Sequence, residues 1–180
     1  MKETKKMVSA AMFLALGLLL PFVTGNIPAI GKMLCPMHIP VLLCGLVCGW
    51  QYGAAVGFIT PLMRSVMFQM PVFFPTAWTM AFELAAYGLV IGLLFSRFRR
   101  QNIVTLYASL ITAMIVGRVV MGVVSVPIYA MGPTAYTWSM FIGGALLTAY
   151  PGIIVQLILI PAIMIILDKT GVLPFAKNEM

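Results

Sequence analysis

The stretch IVTLYASLITAMIVGRVVMGVVSVPIY, residues 103–129, contains a single charged side chain, Arg118. A run of about 20 predominantly apolar residues is long enough to cross the hydrocarbon core of a bilayer as an α-helix. The whole chain has the same character, because 62% of its 180 residues are hydrophobic and only 8% are charged. Soluble domains carry about a quarter charged residues. The sequence therefore predicts an all-α integral membrane protein.

Apolar segments separated by glycine, proline and charged residues predict a bundle of six transmembrane helices that forms a single membrane domain over residues 1–180. The helices are expected at about residues 7–22, 39–49, 53–68, 76–95, 103–129 and 138–167. We expect a turn at Trp50-Gln51-Tyr52, and a kink at Pro151 and Pro161 in the last helix. The second and third helices are short, so one broken helix over residues 39–68 is an alternative that would reverse the downstream topology.

The segment TGNIPAIGKMLCPMHIP, residues 24–40, lies between the first two predicted helices and contains three prolines and two glycines. Proline removes a backbone donor and blocks continuation of a helix. The segment is therefore predicted to be a long, structured first outer loop. It can enter the membrane only where protein or water satisfies its backbone.

The distribution of the basic residues predicts the orientation of the chain in the membrane, because Lys and Arg concentrate in cytoplasmic loops. They flank the helices and form no single patch, so the net charge of +7 does not indicate nucleic-acid binding. With six spans, eight lie in cytoplasmic segments: Lys2, Lys5, Lys6, Arg97, Arg99, Arg100, Lys169 and Lys177. The outer loops hold one, Lys32. The asymmetry predicts a multi-pass protein of the cell membrane with both termini cytoplasmic.

Small residues recur at intervals of four along the first three helices. They are Ala11 and Ala15, followed by Gly45, Gly49, Gly53 and Gly57. Small residues at this interval let helix backbones approach closely inside a membrane. The spacing fits packing within the bundle and equally fits a face for a helix of another subunit.

Three charged residues, Arg64, Glu83 and Arg118, lie inside predicted helices, all in the outer half of the membrane. A charge at the bilayer centre costs at least about 2.5–3.5 kcal/mol, so it usually marks a site or a paired network. We expect the three to converge beneath the loop over residues 24–40 as a substrate-binding site. Five further residues are assigned to that site: Asn26, His38, Gln69, Trp78 and Tyr87.

Simpler roles compete with substrate binding at two of these positions. Trp78, near a helix end, also fits an interfacial anchor, and Glu83 fits a structural ion pair with one arginine. Two arginines against one glutamate nevertheless leave one positive charge over when His38 is neutral. An unmatched guanidinium in a pocket of low dielectric is costly, and a bound carboxylate would relieve it. The count favours a small monoanion, with water or backbone carbonyls as the alternative partners.

The sequence offers no catalytic set, no metal site and no cofactor motif. Cys44 and Cys48 lie one helical turn apart in an apolar run, where cysteine behaves as a small hydrophobe. No GxxxxGK[ST] loop for nucleotide occurs. No ladder of carboxylates crosses the inner half, as a proton-coupled pump requires. We therefore expect a non-enzyme that obtains its energy from a partner.

The chain resembles the substrate-binding (S) component of an energy-coupling factor (ECF) vitamin transporter. The resemblance covers nearly the whole chain and is carried by four segments: AMFLA (11–15), GNIPAIGKMLCPMHIPVLLCG (25–45), TPLMRS (60–65) and MAFELAAYG (80–88). It implies high-affinity capture of a small water-soluble vitamin in a pocket near the outer surface. It also implies a transmembrane coupling subunit, which would meet the helix face of Ala11 and Ala15, and two cytoplasmic ATPase subunits.

The stretch GNIPAIG…PMHIP is similar to S components assigned to pantothenate and related vitamins. Pantothenate, a monoanion, agrees with the charge count and is the first choice; hydroxymethylpyrimidine and pyridoxine-type vitamins come next. Two other functions compete: a membrane scaffold of the rod-shape-determining type and an intramembrane enzyme. A scaffold needs no charged pocket facing outward, and an enzyme needs a catalytic set that the sequence lacks.

Overall fold

The computed structural model describes residues 3–23, 34, 36–98, 102–132, 136–144 and 149–170. Within these ranges the regular elements are all helical, which confirms the predicted class. The seven α-helices are α1 (Glu3–Val23), α2 (His38–Cys48), α3 (Trp50–Phe68), α4 (Trp78–Arg97), α5 (Ile103–Ala130), α6 (Trp138–Ile142) and α7 (Tyr150–Lys169). A distorted turn over Phe73–Ala77 leads into α4.

Four helical segments of the described part are long and apolar enough to cross a membrane: Glu3–Phe22, Phe73–Arg97, Ile103–Ala130 and Tyr150–Lys169. The helix α2 is apolar but has only 11 residues. The helix α3 is long enough, with 19 residues, but is less apolar because it includes Gln51, Tyr52 and Arg64. The count of six spans and the orientation of the termini therefore stay predictions.

A single residue, Gly49, separates α2 from α3. Its φ of 97° is a conformation that glycine adopts at little cost and that other residues avoid. The prediction of a turn at Trp50-Gln51-Tyr52 was therefore wrong. Gly49 makes the turn, and those three residues begin α3. A Cβ added to Gly53 would lie 2.7 Å from Cα of Gly45, so the two helices fold back on each other.

The helix α4 crosses this hairpin at its glycines. The carbonyl oxygen of Gly88 lies 2.6 Å from a Cβ built on Gly45 and 2.7 Å from one built on Gly53. A Cβ on Gly57 would collide with the backbone of Leu84. The glycine series, apart from the turn at Gly49, therefore serves packing inside the bundle, where absent side chains bring backbones into contact.

The helix α1 lies beside α2 and α3 and runs parallel to α3. The Tyr52 hydroxyl donates to Oε2 of Glu3 at 3.2 Å at one end, and Arg64 donates to the carbonyl of Leu18 at 2.6 Å near the other. The inward face of α1 is buried, whereas Ala11 and Ala15 are exposed on the opposite face. These alanines are therefore available to a partner in the described structure.

The last predicted helix, residues 138–167, is described as two helices, α6 and α7, with residues 145–148 between them outside the described part. Pro151 does not kink a helix interior. It lies in the first turn of α7, where proline is tolerated because the missing N–H has no partner there to lose. Pro161 does lie inside α7 and is buried.

The glycine contact predicts that a larger side chain at Gly53 separates α3 from α2 and α4. We expect Gly53→Leu to lower the free energy of unfolding by about 1–3 kcal/mol or more, the range for overpacked sites. Thermal unfolding in detergent measures the loss. Gly143→Leu is the control, because a Cβ there meets nothing within 4 Å, and an equal loss in both variants would contradict the packing role.

Candidate functional site

Glu83, in the second turn of α4, is only 2% exposed and forms the centre of a polar cluster. Its Oε1 lies 2.8 Å from Nη1 of Arg118, which projects from α5. The side chain of Arg118 is 14% exposed and that of Glu83 is 3% exposed. A buried pair of this kind needs further hydrogen bonds to offset the desolvation of both charges.

Two further residues contact the same carboxylate from α4 and α2. The hydroxyl of Tyr87 donates to Oε1 of Glu83 at 3.2 Å. Nε2 of His38, at the first position of α2, lies 3.7 Å from that oxygen, and the His38 ring packs edge-on to Tyr87 with centroids 5.2 Å apart. Glu83 is therefore surrounded by polar groups from three helices.

His38 is 2% exposed, yet neither of its ring nitrogens has a hydrogen-bond partner among the described residues. Buried polar atoms in proteins are nearly always hydrogen-bonded. Because imidazole both donates and accepts, His38 can bind a polar group of a ligand. His38 is thus a buried side chain of the cluster with hydrogen-bonding capacity left to use.

Gly117 makes room for Tyr87 and was not assigned to the site from the sequence. A Cβ at Gly117 would lie 3.0 Å from Cζ of the Tyr87 ring and still nearer to two other ring atoms. The hydroxyl of Tyr87 can reach Glu83 because α5 has no side chain at this point. A glycine directly before Arg118 in an apolar helix is the signal that could have identified it.

Two tyrosines lie at the end of α5 nearest this cluster. The rings of Tyr129 and Tyr136 are 5.1 Å apart, and Tyr136 lies within electrostatic reach of Glu83 and Arg118. Burial raises the pKa of Tyr136, against the opposing effect of a hydrogen bond with Ser125. The phenol therefore stays protonated at neutral pH and can donate a hydrogen bond.

Arg64 makes its described contacts at the end of α1. Besides donating to the Leu18 carbonyl, its guanidinium lies 5.1 Å from the ring of Phe22 and 5.4 Å from that of Phe68. A cation over aromatic rings and near a helix C-terminus is stabilised by both. Arg64 thus joins α1 to α3, while Arg118 is the arginine matched to Glu83.

The other assigned residues lie elsewhere or outside the described part. Trp78 packs edge-on against Phe58 and Phe73, at centroid distances of 6.4 and 6.3 Å. Gln69 is exposed and ends α3 in a left-handed conformation with φ of 55°. Asn26 lies outside the described residues. The structure brings together four of the eight: His38, Glu83, Tyr87 and Arg118.

The family model described as ECF transporter, substrate-specific component, matches residues 5–164. The match includes all four residues of the Glu83 cluster, together with Arg64, Ala11 and Ala15. No curated protein and no solved structure matches the chain significantly.

The Glu83–Arg118 pair predicts strong energetic coupling. Arg118→Met leaves a carboxylate buried without its cation, a loss of about 3–5 kcal/mol for such pairs. The double variant Glu83→Gln with Arg118→Met removes both charges, so it should be more stable than Arg118→Met alone. Thermal unfolding in detergent of the parent, both single variants and the double variant measures the coupling; additive effects would contradict it.

Proposed function

The chain belongs to the family of ECF transporter substrate-specific components, and we propose that it is the high-affinity capture subunit of an ATP-driven importer for a small water-soluble vitamin. Proteins of this family are membrane-embedded transport subunits, not enzymes, and they bind a small molecule within an ECF complex. The cell-membrane location and the cytoplasmic termini belong to this proposal and rest on the distribution of Lys and Arg.

The observation that carries the proposal is His38, buried beside the Glu83–Arg118 pair with both ring nitrogens lacking a partner in the described structure. Ion pairs buried in a membrane are expensive, and a scaffold has no need of an additional buried histidine. A ligand bound here can use the histidine, the guanidinium and a tyrosine hydroxyl together. Such convergent polar groups in an apolar surrounding are typical of small-molecule sites.

We place the carboxylate of an anionic vitamin near Arg118, whose planar guanidinium suits a carboxylate. Because Glu83 already balances its charge at 2.8 Å and Arg64 contacts α1 instead, the choice of an anion rests on the family resemblance and no longer on an unmatched arginine. Pantothenate is our first choice, because its hydroxyl and amide groups also suit His38 and Tyr136. Hydroxymethylpyrimidine and pyridoxine-type vitamins come next, since an aromatic nitrogen or a ring hydroxyl could bind His38.

The four remaining assigned residues take outlying roles in this proposal. Arg64, through its contact with Leu18, holds the end of α1 from which the segment leading to His38 departs. Trp78 and Gln69 lie around the start of α4 and the end of α3. Asn26 belongs to the loop that the family resemblance places over the pocket. We expect these four to affect binding less than Arg118.

The exposed alanines of α1 support a contact with the transmembrane coupling subunit. Ala11 and Ala15 are four residues apart on the outward face, and small residues at this interval permit close approach of a second helix. The internal glycines already have partners in α4, so α1 carries the unoccupied small-residue face. We propose that two cytoplasmic ATPase subunits complete the complex and supply the energy.

Vitamin capture should require no ATP. We expect the purified chain to bind pantothenate in calorimetry. Arg118→Gln should weaken binding by about 1.5–3 kcal/mol, the loss for a hydrogen bond to a charged group. Arg97→Gln, at the exposed end of α4, is the control. Absence of a binding signal with every water-soluble vitamin would refute the capture function, and equal affinity of parent and Arg118→Gln would refute the site.

The partner face predicts a separation of uptake from binding. Ala11→Leu or Ala15→Leu should abolish ATP-dependent uptake into vesicles that contain the complete complex, since a larger side chain keeps the partner helix away. Vitamin affinity of the isolated chain should not change. Ala108→Leu, the same substitution at an exposed position of α5, serves as control. Loss of both uptake and binding in the alanine variants would assign the face to internal packing.

A further inference from the structure

The connection between α3 and α4 exposes apolar side chains almost exclusively. Six large apolar residues, from the last turn of α3 to the turn before α4, are at least 40% exposed. They form what we call the apolar edge: Val66, Met67, Met70, Val72, Phe73 and Phe74. Monomeric proteins in water rarely keep so many adjacent apolar groups exposed.

The apolar edge also lies in a stretch of the chain without charged residues. No residue from 65 to 82 is charged, and the bounding residues Arg64 and Glu83 are both buried. The next connection along the chain differs sharply, because residues 97–100 include three arginines. The two connections therefore suit different surroundings, the first apolar and the second aqueous.

Several backbone groups of this connection are satisfied without water. Pro71 and Pro75 have no N–H to satisfy, and the carbonyl of Pro71 accepts a hydrogen bond of 2.6 Å from the Ser65 hydroxyl. The N–H of Ala77 donates to the carbonyl of Val72 at 2.9 Å, and that of Gln69 donates to Ser65 at 2.9 Å. Internal satisfaction of backbone groups is the condition for non-helical chain to contact lipid.

Aromatic side chains of α3 and α4 pack against the apolar edge. Trp78 packs against Phe73 at 6.3 Å and against Phe58 at 6.4 Å, and Phe58 packs against Phe82 at 5.5 Å. Edge-to-face pairs at these distances are favourable beyond the area that they bury. They hold the connection in one shape on the outer surface of α3 and α4.

From these observations we infer that the apolar edge lies within the bilayer, at the boundary of the hydrocarbon layer, and that its partner is lipid acyl chain. The apolar span that begins at Phe73 agrees with this depth. The connection is thus not the water-facing loop that a six-span topology suggests. A polar solute would reach Glu83 from the side of Tyr129 and Tyr136 instead, since the α3–α4 side is covered by lipid.

The test adds one cysteine at a time to the full chain, reconstituted in phosphatidylcholine nanodiscs. Cys35→Ser is the background, and the native Cys44 and Cys48 are buried. Val72→Cys and Met67→Cys report on the apolar edge after labelling with bimane. Thr137→Cys is the matched control, because Thr137 is exposed just before α6 at the same end of the bundle.

We expect lipid carrying a nitroxide on its acyl chain to quench the label at positions 72 and 67 more than iodide does, with the reverse order at position 137. Iodide dominating at all three positions would overturn the inference and place the edge in water. Quenching by neither agent at positions 72 and 67 would overturn it in favour of burial against protein. Retained thermal stability shows that each variant is folded. Vitamin binding is measured on the same samples, so that failure of the lipid contact and failure of the capture function can be told apart.

Discussion

The structure around the candidate site depends on one ion pair, between Glu83 and Arg118. Neither charge is tolerable alone in a medium of low dielectric, so α4 and α5 must meet where the two side chains reach each other at 2.8 Å. Gly117 allows the helices to approach at that level, and Tyr87 then supplies a further hydrogen bond to the carboxylate. The pair thereby fixes the position of the carboxylate beside which α2 places His38.

Glycine contacts provide the second constraint on the same helices. Gly45, Gly53 and Gly88 bring three backbones together, and Gly88 directly follows Tyr87, whose hydroxyl donates to Glu83. The close backbone packing and the polar cluster are therefore neighbours along α4, so the positions of the small residues and of the charges depend on each other.

Much of this arrangement was predictable from the sequence. Apolar runs predicted helices near their observed positions, and the charges inside them identified Glu83 and Arg118, because ionised groups in membrane helices need partners. Periodicity could not assign partners, however, so Arg64 was counted with Glu83, whereas its described contacts are with Leu18 and two aromatic rings. The turn at Gly49 was missed because a single glycine with positive φ leaves no polar stretch, and Gly117 because its role depends on a ring from another helix.

The position of α1 determines how the exposed alanines are connected to the polar cluster around Glu83. This helix carries the exposed alanines but contributes no side chain to the described contacts of Glu83. It does pack against α2, whose first residue is His38. A single helix, α2, therefore separates the exposed face of α1 from the polar cluster, and its 11 residues end at Gly49. Because a Cβ on Gly45 of that helix would lie 2.6 Å from the Gly88 carbonyl oxygen, any displacement of α2 would also change its contact with α4.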